Sequence, residues 1–320
     1  MKKILIIGGG AMGSAFSIPC LENNNKVTIT EPYNKAFIKD LSSKKKFHST
    51  LKINLPKKLI FKSYSNKIFN ENFDLIVIAL SLPGINFIGR ELKNIKNKIP
   101  ILILTKGLKF DKKKNKILTI SELLSKNYNV KNLTVLKGPC LAKELANKKF
   151  TNVVVANKNI KIAKWIRNQI ATKYYKVEFS KDVVGVEICS AIKNIYSMII
   201  GAGQNLNMSS SLFKKSIIEI KYLTKYFKGD DTTVFGLAGI GDLYVSAAGG
   251  RNSKMGYYLG KGYTFVKAKK KFMFKETVEG EKLAREIGPY ILKKIKKNKI
   301  PLMNNFLKSV LNNKKLQLKI

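Results

Sequence analysis

Histidine is almost absent. The chain of 320 residues has one, His48. It stands in a polar stretch with Lys44, Lys45 and Lys46, which reads as exposed surface, so acid/base chemistry is expected to fall to another residue type. Cysteine is sparse too, at three: Cys20, Cys140 and Cys189. No two form a CxxC pair and the count is odd, which argues against a disulfide framework and a zinc site and leads us to expect no metal. Acidic residues are few, 20 Asp and Glu against 61 Lys and Arg, for a net charge of +41. Such a charge raises binding to nucleic acid or an acidic membrane as a rival function. Lysine, however, is spread through every segment, and Arg, which supplies the bidentate base contacts of specific readers, is scarce. No zinc-finger, RNP or helix-turn-helix signature stands out, so no specific nucleic-acid partner is expected. The pattern fits a Lys/Asn/Ile composition bias laid over an ordinary fold, and it draws in phosphorylated small molecules. No apolar run stands out as approaching the ~20 residues of a membrane span, so no membrane insertion is expected. At the start, Ile4 to Ile7 is too short for the ~7–15-residue apolar region of a signal peptide. A cytoplasmic protein is the expectation.

The length suits two domains. Lys3 to Ile7 is a short apolar run that predicts a buried strand; three glycines follow, then Ala11 to Leu21 at helical spacing, with Pro19 near its end, then the β-branched run Lys26 to Thr30. Asp74 to Leu80 and Pro100 to Thr105 are nearly continuous apolar runs, as in strands covered on both faces. Asn132 to Leu136, Asn152 to Ala156 and Tyr174 to Phe179 predict further strands; Ile117 to Lys126 and Ile160 to Ile170 predict helices. The expected fold is therefore α/β, a Rossmann-type doubly wound parallel sheet. Beyond about residue 180 only helices are predicted, over Val183 to Ala202, Leu212 to Phe227, Thr277 to Ile287 and Asn304 to Leu311. We expect a dinucleotide-binding domain over 1–180 and an all-helical C-terminal, substrate-binding and catalytic domain over 181–320.

Gly8-Gly9-Gly10-Ala11-Met12-Gly13 fits G-x-G-x-x-G, and it has the context that gives the motif meaning: a strand before, a helix after and a second strand beyond. Gly8 permits the tight turn, Gly10 lets backbone approach a diphosphate, and Gly13 lets helix and sheet pack closely. The free N–H groups at the helix start, from Ala11 and Met12 onward, favour the anion. Glu31 lies 18 residues past Gly13, just beyond the second strand. A carboxylate there bonds the ribose hydroxyls of NAD and repels the 2′-phosphate of NADP. NAD is modestly favoured, although the neighbouring Lys35 and Lys39 keep NADP open.

Six segments carry a resemblance over nearly the whole chain: Asp74-Leu-Ile-Val-Ile-Ala-Leu, Leu104-Thr-Lys-Gly-Leu, Lys137-Gly-Pro-Cys-Leu-Ala, Glu187-Ile-Cys-Ser-Ala-Ile-Lys-Asn, Gly236-Leu-Ala-Gly-Ile-Gly-Asp-Leu followed by Arg251-Asn252, and Val278-Glu-Gly. In order and spacing they resemble the NAD(P)-dependent glycerol-3-phosphate dehydrogenases. The resemblance implies interconversion of dihydroxyacetone phosphate and sn-glycerol 3-phosphate, in the service of glycerophospholipid synthesis. It implies Lys193 as the acid/base with Asp242 as its partner. A lysine, with pKa ordinarily ~10.4, can polarise a ketone and donate a proton to its oxygen, and its neutral form takes the proton back. Lys193 also sits in an otherwise apolar or small stretch, where a lysine needs a partner.

By the same resemblance Lys106, after a strand at the carboxyl edge of the sheet, lies near both cofactor and substrate. Arg251 and Asn252 hold the substrate phosphate, for which a guanidinium fork is the better match. Gly138, Cys140, Asn194 and Ser246 line the substrate; Ala142, Arg251 and Glu279 reach the cofactor. Three features differ from the family pattern. Met12 stands where an aromatic is usual, Cys140 where a serine is usual, and Gly250 where a serine commonly precedes the arginine. The last two surround the substrate and keep open a second expectation, the same chemistry on another phosphorylated ketone or alcohol. The net charge keeps open a third, a basic polyanion-binding protein without catalysis. A homodimer is expected from the general frequency of twofold assemblies.

Overall fold

The computed structural model describes all residues except 43–45, 94, 96–98 and 319–320; Lys44 and Lys45, named above, lie outside the described residues. The chain forms two compact units, one of residues 1–106 and 120–183, the other of residues 107–119 and 184–320.

The first unit is built on an eight-stranded sheet. Its strands are β1 (Lys3–Ile7), β2 (Lys26–Glu31), β5 (Ile60–Ser63), β6 (Leu75–Ile78), β7 (Ile101–Ile103), β10 (Leu133–Lys137), β11 (Thr151–Ala156) and β12 (Tyr175–Ser180), in the order β12-β11-β10-β7-β6-β1-β2-β5. A small hairpin, β3 (Phe47–His48) with β4 (Ile53–Asn54), lies apart. Every pairing in the large sheet is parallel except β10 with β11, which is antiparallel. Ile4, Leu5, Ile6 and Ile7 are all buried, as are Leu75 to Ile78, which explains why these strands lack alternation: helices cover both faces. The covering helices are α1 (Ala11–Glu22), α2 (Lys35–Leu41), α3 (Ile85–Leu92), α4 (Ile120–Tyr128), α5 (Ala142–Ala146) and α6 (Ile160–Ile170). In α3 the buried residues Ile85, Ile88, Gly89 and Leu92 recur at helical spacing. Asn34 and Asn159 cap α2 and α6 with side-chain oxygens.

In the second unit the long helices α7 (Val183–Gly201) and α8 (Leu206–Tyr226) are followed by a π-helical turn, Leu237–Gly241, that runs into α9 (Asp242–Ala247). The short helices α10 (Arg251–Gly260) and α11 (Phe265–Phe272) lead to α12 (Glu279–Lys294) and α13 (Pro301–Leu311). Every residue of α7 from Gly185 to Ile200 is buried. Its length and composition would suffice to cross a bilayer, contrary to the expectation that no segment approaches a span. The helix is instead the core of this unit, and it carries buried Glu187 and Lys193.

Three local expectations are corrected. Ile117–Lys126 is not one helix, because Lys116–Thr119 is strand β9, paired antiparallel with β8 (Leu108–Asp111). Residues 107–119, expected in the first domain, pack with the second unit: Glu286 on α12 accepts the Phe110 N–H at 3.0 Å and pairs with Lys109. His48 is not exposed. Its ring is buried on the hairpin, edge-on to Phe37, with Nδ1 accepting the Leu51 N–H at 3.2 Å.

Candidate functional site

In the first unit the predicted cofactor residues gather at the carboxyl end of β1. Gly8 has φ +115°, and a Cβ added at Gly13 would lie 2.0 Å from the Gly8 carbonyl oxygen, so turn and helix can meet only as glycines. Gly10 caps α1, and a Cβ there would meet no protein atom within 4 Å. The backbone is therefore bare on that side, and the N–H groups of the first turn, Ala11 and Met12 included, are open to an anion. This cradle fits the diphosphate of NAD or NADP.

Gly9, between the signature glycines, is held by three side chains. Its N–H donates to Glu31 Oε2 at 2.9 Å, and its carbonyl accepts from Ser14 Oγ at 2.7 Å. His48 Nε2 lies 3.4 Å from the same carbonyl; because Nδ1 is the acceptor for Leu51, Nε2 carries the proton. Burial lowers the His48 pKa, which keeps the ring neutral. Glu31 Oε1 accepts the Tyr33 N–H at 3.0 Å, so this carboxylate bridges Gly9 and Tyr33 and shapes the loop. Ser14 and His48 were not predicted as site residues. Neither carries a motif, and only the fold brings them to Gly9.

Two lysines staple the loops at the carboxyl edges of β7 and β10. Lys106 Nζ donates to the Gly138 carbonyl at 3.2 Å, while buried Lys137 donates back to the carbonyls of Ile103 at 3.1 Å and Thr105 at 2.7 Å. Ala142 opens α5 just beyond. Cys140 is half-buried against the sheet core and beside Tyr175; burial first, then this thiol, pushes the Tyr175 phenol well above its usual pKa.

In the second unit the predicted catalytic residues Lys193 and Asp242 come from α7 and α9, and the predicted phosphate residues Arg251 and Asn252 from α10. Lys193 comes from the middle of α7. Asp242 starts α9 directly after the π-helical turn, a geometry that often marks functional sites. That turn explains the glycine-rich Gly236–Gly241 segment, since a Cβ at Gly239 would lie 2.1 Å from the Val234 carbonyl oxygen. Lys193 Nζ is 2.7 Å from Asp242 Oδ1, with side-chain exposures of 8% and 3%, and it also donates to Ser246 Oγ. The Ser190 hydroxyl donates to Asp242 Oδ2 at 3.2 Å. Beside them Asn252 Nδ2 donates to Asn194 Oδ1 at 3.1 Å, and Asn252 Oδ1 accepts the Gly280 N–H at 3.0 Å. Arg251 pairs with Glu279 at 3.3 Å, both half-exposed. The predicted residues thus fall in both units: the glycine loop with Glu31 and, separately, the Lys106–Gly138 loops in the first, and Lys193, Asn194, Asp242, Ser246, Asn252, Arg251 and Glu279 in the second. Among the described residues no group of His, Cys, Asp and Glu could hold a metal ion.

A dinucleotide loop on a doubly wound sheet, with a buried lysine–carboxylate pair among helices, defines a nicotinamide-dependent dehydrogenase. Residues 3–163 and 182–319 match the N-terminal and C-terminal parts of one family, described as NAD-dependent glycerol-3-phosphate dehydrogenase. The chain is 33% identical over 280 residues to an NADP(+)-dependent glycerol-3-phosphate dehydrogenase of Archaeoglobus fulgidus, covering 83% of this chain and 82% of that protein. It is 32% identical over 295 residues to a glycerol-3-phosphate dehydrogenase [NAD(P)+] of Clostridium botulinum, covering 89% and 86%. Among solved structures, the fold matches a glycerol-3-phosphate dehydrogenase from Coxiella burnetii with TM-score 0.84 at 22% identity, over 99% of this chain and 96% of that one. The chain belongs to the NAD-dependent glycerol-3-phosphate dehydrogenase family.

Proposed function

We propose that this protein interconverts dihydroxyacetone phosphate and sn-glycerol 3-phosphate with NAD(P)H. The observation that carries the reading is the buried Lys193–Asp242 pair at 2.7 Å. When bound, the cofactor supplies the hydride to the carbonyl carbon. Lys193, as ammonium, donates a proton to the carbonyl oxygen, and Asp242 balances the buried charge that the lysine brings. In the oxidative direction neutral Lys193 accepts the alcohol proton. Arg251, with Asn252, recognises the phosphate, since a guanidinium offers two parallel donors to its oxygens. Asn194 keeps the Asn252 amide turned to a fixed side, and Ser246 steadies the Lys193 amine. In the first unit, Lys106, Gly138 and Cys140 are the further polar groups offered to the substrate.

Gly8 to Gly13 binds the diphosphate, and Ala142, Arg251 and Glu279 make the remaining cofactor contacts. Either nicotinamide serves, with NAD modestly favoured by Glu31 at the end of β2; the NADP(+) in the name of the Archaeoglobus relative is the contrary expectation. The product supplies glycerophospholipid synthesis, and the protein acts in the cytoplasm as a homodimer, the last on twofold frequency alone. The test follows NADH and NADPH oxidation at 340 nm with dihydroxyacetone phosphate and with unphosphorylated dihydroxyacetone. Rapid oxidation that requires the phosphate is expected. Cofactor binding without turnover would overturn the substrate assignment in favour of another phosphorylated ketone.

A further inference from the structure

Asp242 is held from two sides. Lys193 reaches Oδ1 at 2.7 Å, and Ser190 donates to Oδ2 at 3.2 Å. Ser190 lies three residues before Lys193 on α7, so the two side chains share one face of the helix. It is fully buried. A serine inside a helix commonly spends its hydroxyl on the carbonyl one turn back; Ser216 on α8 does this, donating to the Leu212 carbonyl at 2.7 Å. Ser190 donates instead to the carboxylate that partners Lys193.

A hydrogen bond to a carboxylate stabilises its charged form and reduces its basicity. Less charge then remains on Oδ1 to hold the lysine proton. We propose that Ser190 is a positioning residue for the Lys193–Asp242 pair, keeping Asp242 ionised and oriented while limiting how strongly it retains the proton of Lys193. This rests on the acid/base reading of Lys193 given above. Without the hydroxyl, Asp242 binds the ammonium more tightly and neutral Lys193 forms only at higher pH. The rising limb of glycerol 3-phosphate oxidation, which needs the neutral amine, moves up in pH. The falling limb of ketone reduction, which needs the ammonium, moves the same way, because both limbs report one group.

The experiment measures kcat/KM against pH in both directions for the wild type, Ser190→Ala, Ser190→Gly and the control Ser216→Ala, with thermal melting of each. Both Ser190 variants are expected to shift both limbs upward by roughly half a pH unit, and Ser216→Ala to shift neither. Folded, active Ser190 variants with wild-type limbs would overturn the proposal and leave the Lys193 reading intact. A uniform loss of rate with unmoved limbs would also overturn it, as a purely structural effect. A wild type inactive with dihydroxyacetone phosphate would instead overturn the reading on which it rests.

Discussion

One methyl group added at Gly10 and one added at Gly13 are expected to act oppositely on the fold and alike on cofactor binding. Gly10 has φ −61°, which alanine adopts freely, and its Cβ would meet no protein atom within 4 Å. Gly10→Ala therefore restricts only the unfolded chain and should stabilise the protein by about 0.4–1 kcal/mol. The same methyl stands where a diphosphate must approach the backbone, so affinity for NADH and NADPH should fall by roughly 10–100-fold, or about 1.4–2.8 kcal/mol. At Gly13 the new Cβ would lie 2.0 Å from the Gly8 oxygen and 3.1 Å from Ala79 Cβ. Helix α1 must retreat by about 1 Å, at a cost of roughly 1–3 kcal/mol, and the cradle opens with it. Fluorescence titration with each reduced cofactor gives the affinities, and thermal unfolding gives the stabilities. Wild-type affinity in Gly10→Ala would refute the assignment of this loop to the diphosphate. A destabilised Gly10→Ala would refute the open geometry above Gly10.

Three further outcomes are expected. Glu219 accepts the N–H groups of Leu302 at 2.6 Å and Met303 at 3.0 Å, where α13 begins, and the Tyr196 hydroxyl at 2.9 Å. Glu219→Ala strands three buried donors and should cost roughly 3–5 kcal/mol in urea unfolding; a loss below about 1 kcal/mol would contradict this network's role. Arg251→Lys replaces a fork with a point charge and should raise KM for the phosphorylated substrate about tenfold while leaving stability within ~0.5 kcal/mol, because its ion pair with Glu279 is half-exposed. A change confined to kcat would speak against a phosphate-binding arginine. Burial lowers the His48 pKa, so as pH falls the unfolded chain takes up this proton before the folded one does. Stability from neutral His48 is then complete above the ordinary histidine range and declines below about pH 6.5. His48→Gln should flatten that decline, and an unchanged slope in melting temperature against pH would refute it.

The parts of the molecule legible in the sequence are those where one physical demand dominates. Ile4 to Ile7 and Leu75 to Ile78 are buried on both faces, so they are continuous apolar runs and read as strands at sight. The cofactor loop is legible because its glycines answer to steric limits. The Gly236–Gly241 segment was recognisable only by resemblance; its cause, a π-helical turn under the Val234 carbonyl, is a matter of three-dimensional packing. Where two patterns coincide, the sequence alone does not decide between them. Ile117, Leu118, Ile120, Leu123 and Leu124 suit a helix as well as a strand followed by a helix, and pairing of Lys116–Thr119 with Leu108–Asp111 decides it. His48 looked exposed because its sequence neighbours are lysines, yet the β3–β4 hairpin turns it under Gly9. Ser190 is one of many serines until α9 brings a carboxylate to it. Lys193 and Asp242 were paired by resemblance, and their 49-residue separation along the chain gave no local sign of contact.

The role of Lys193 is tested most directly by single-turnover reduction of dihydroxyacetone phosphate by Lys193→Met, on protein shown by melting and cofactor titration to be folded and loaded. A rate about 10²–10⁴-fold below wild type is expected, the usual worth of a general acid, with NADH affinity unchanged within about twofold, because Gly8 to Gly13 and Glu31 are untouched. A folded, cofactor-bound Lys193→Met enzyme that kept a tenth or more of the wild-type rate would contradict that role.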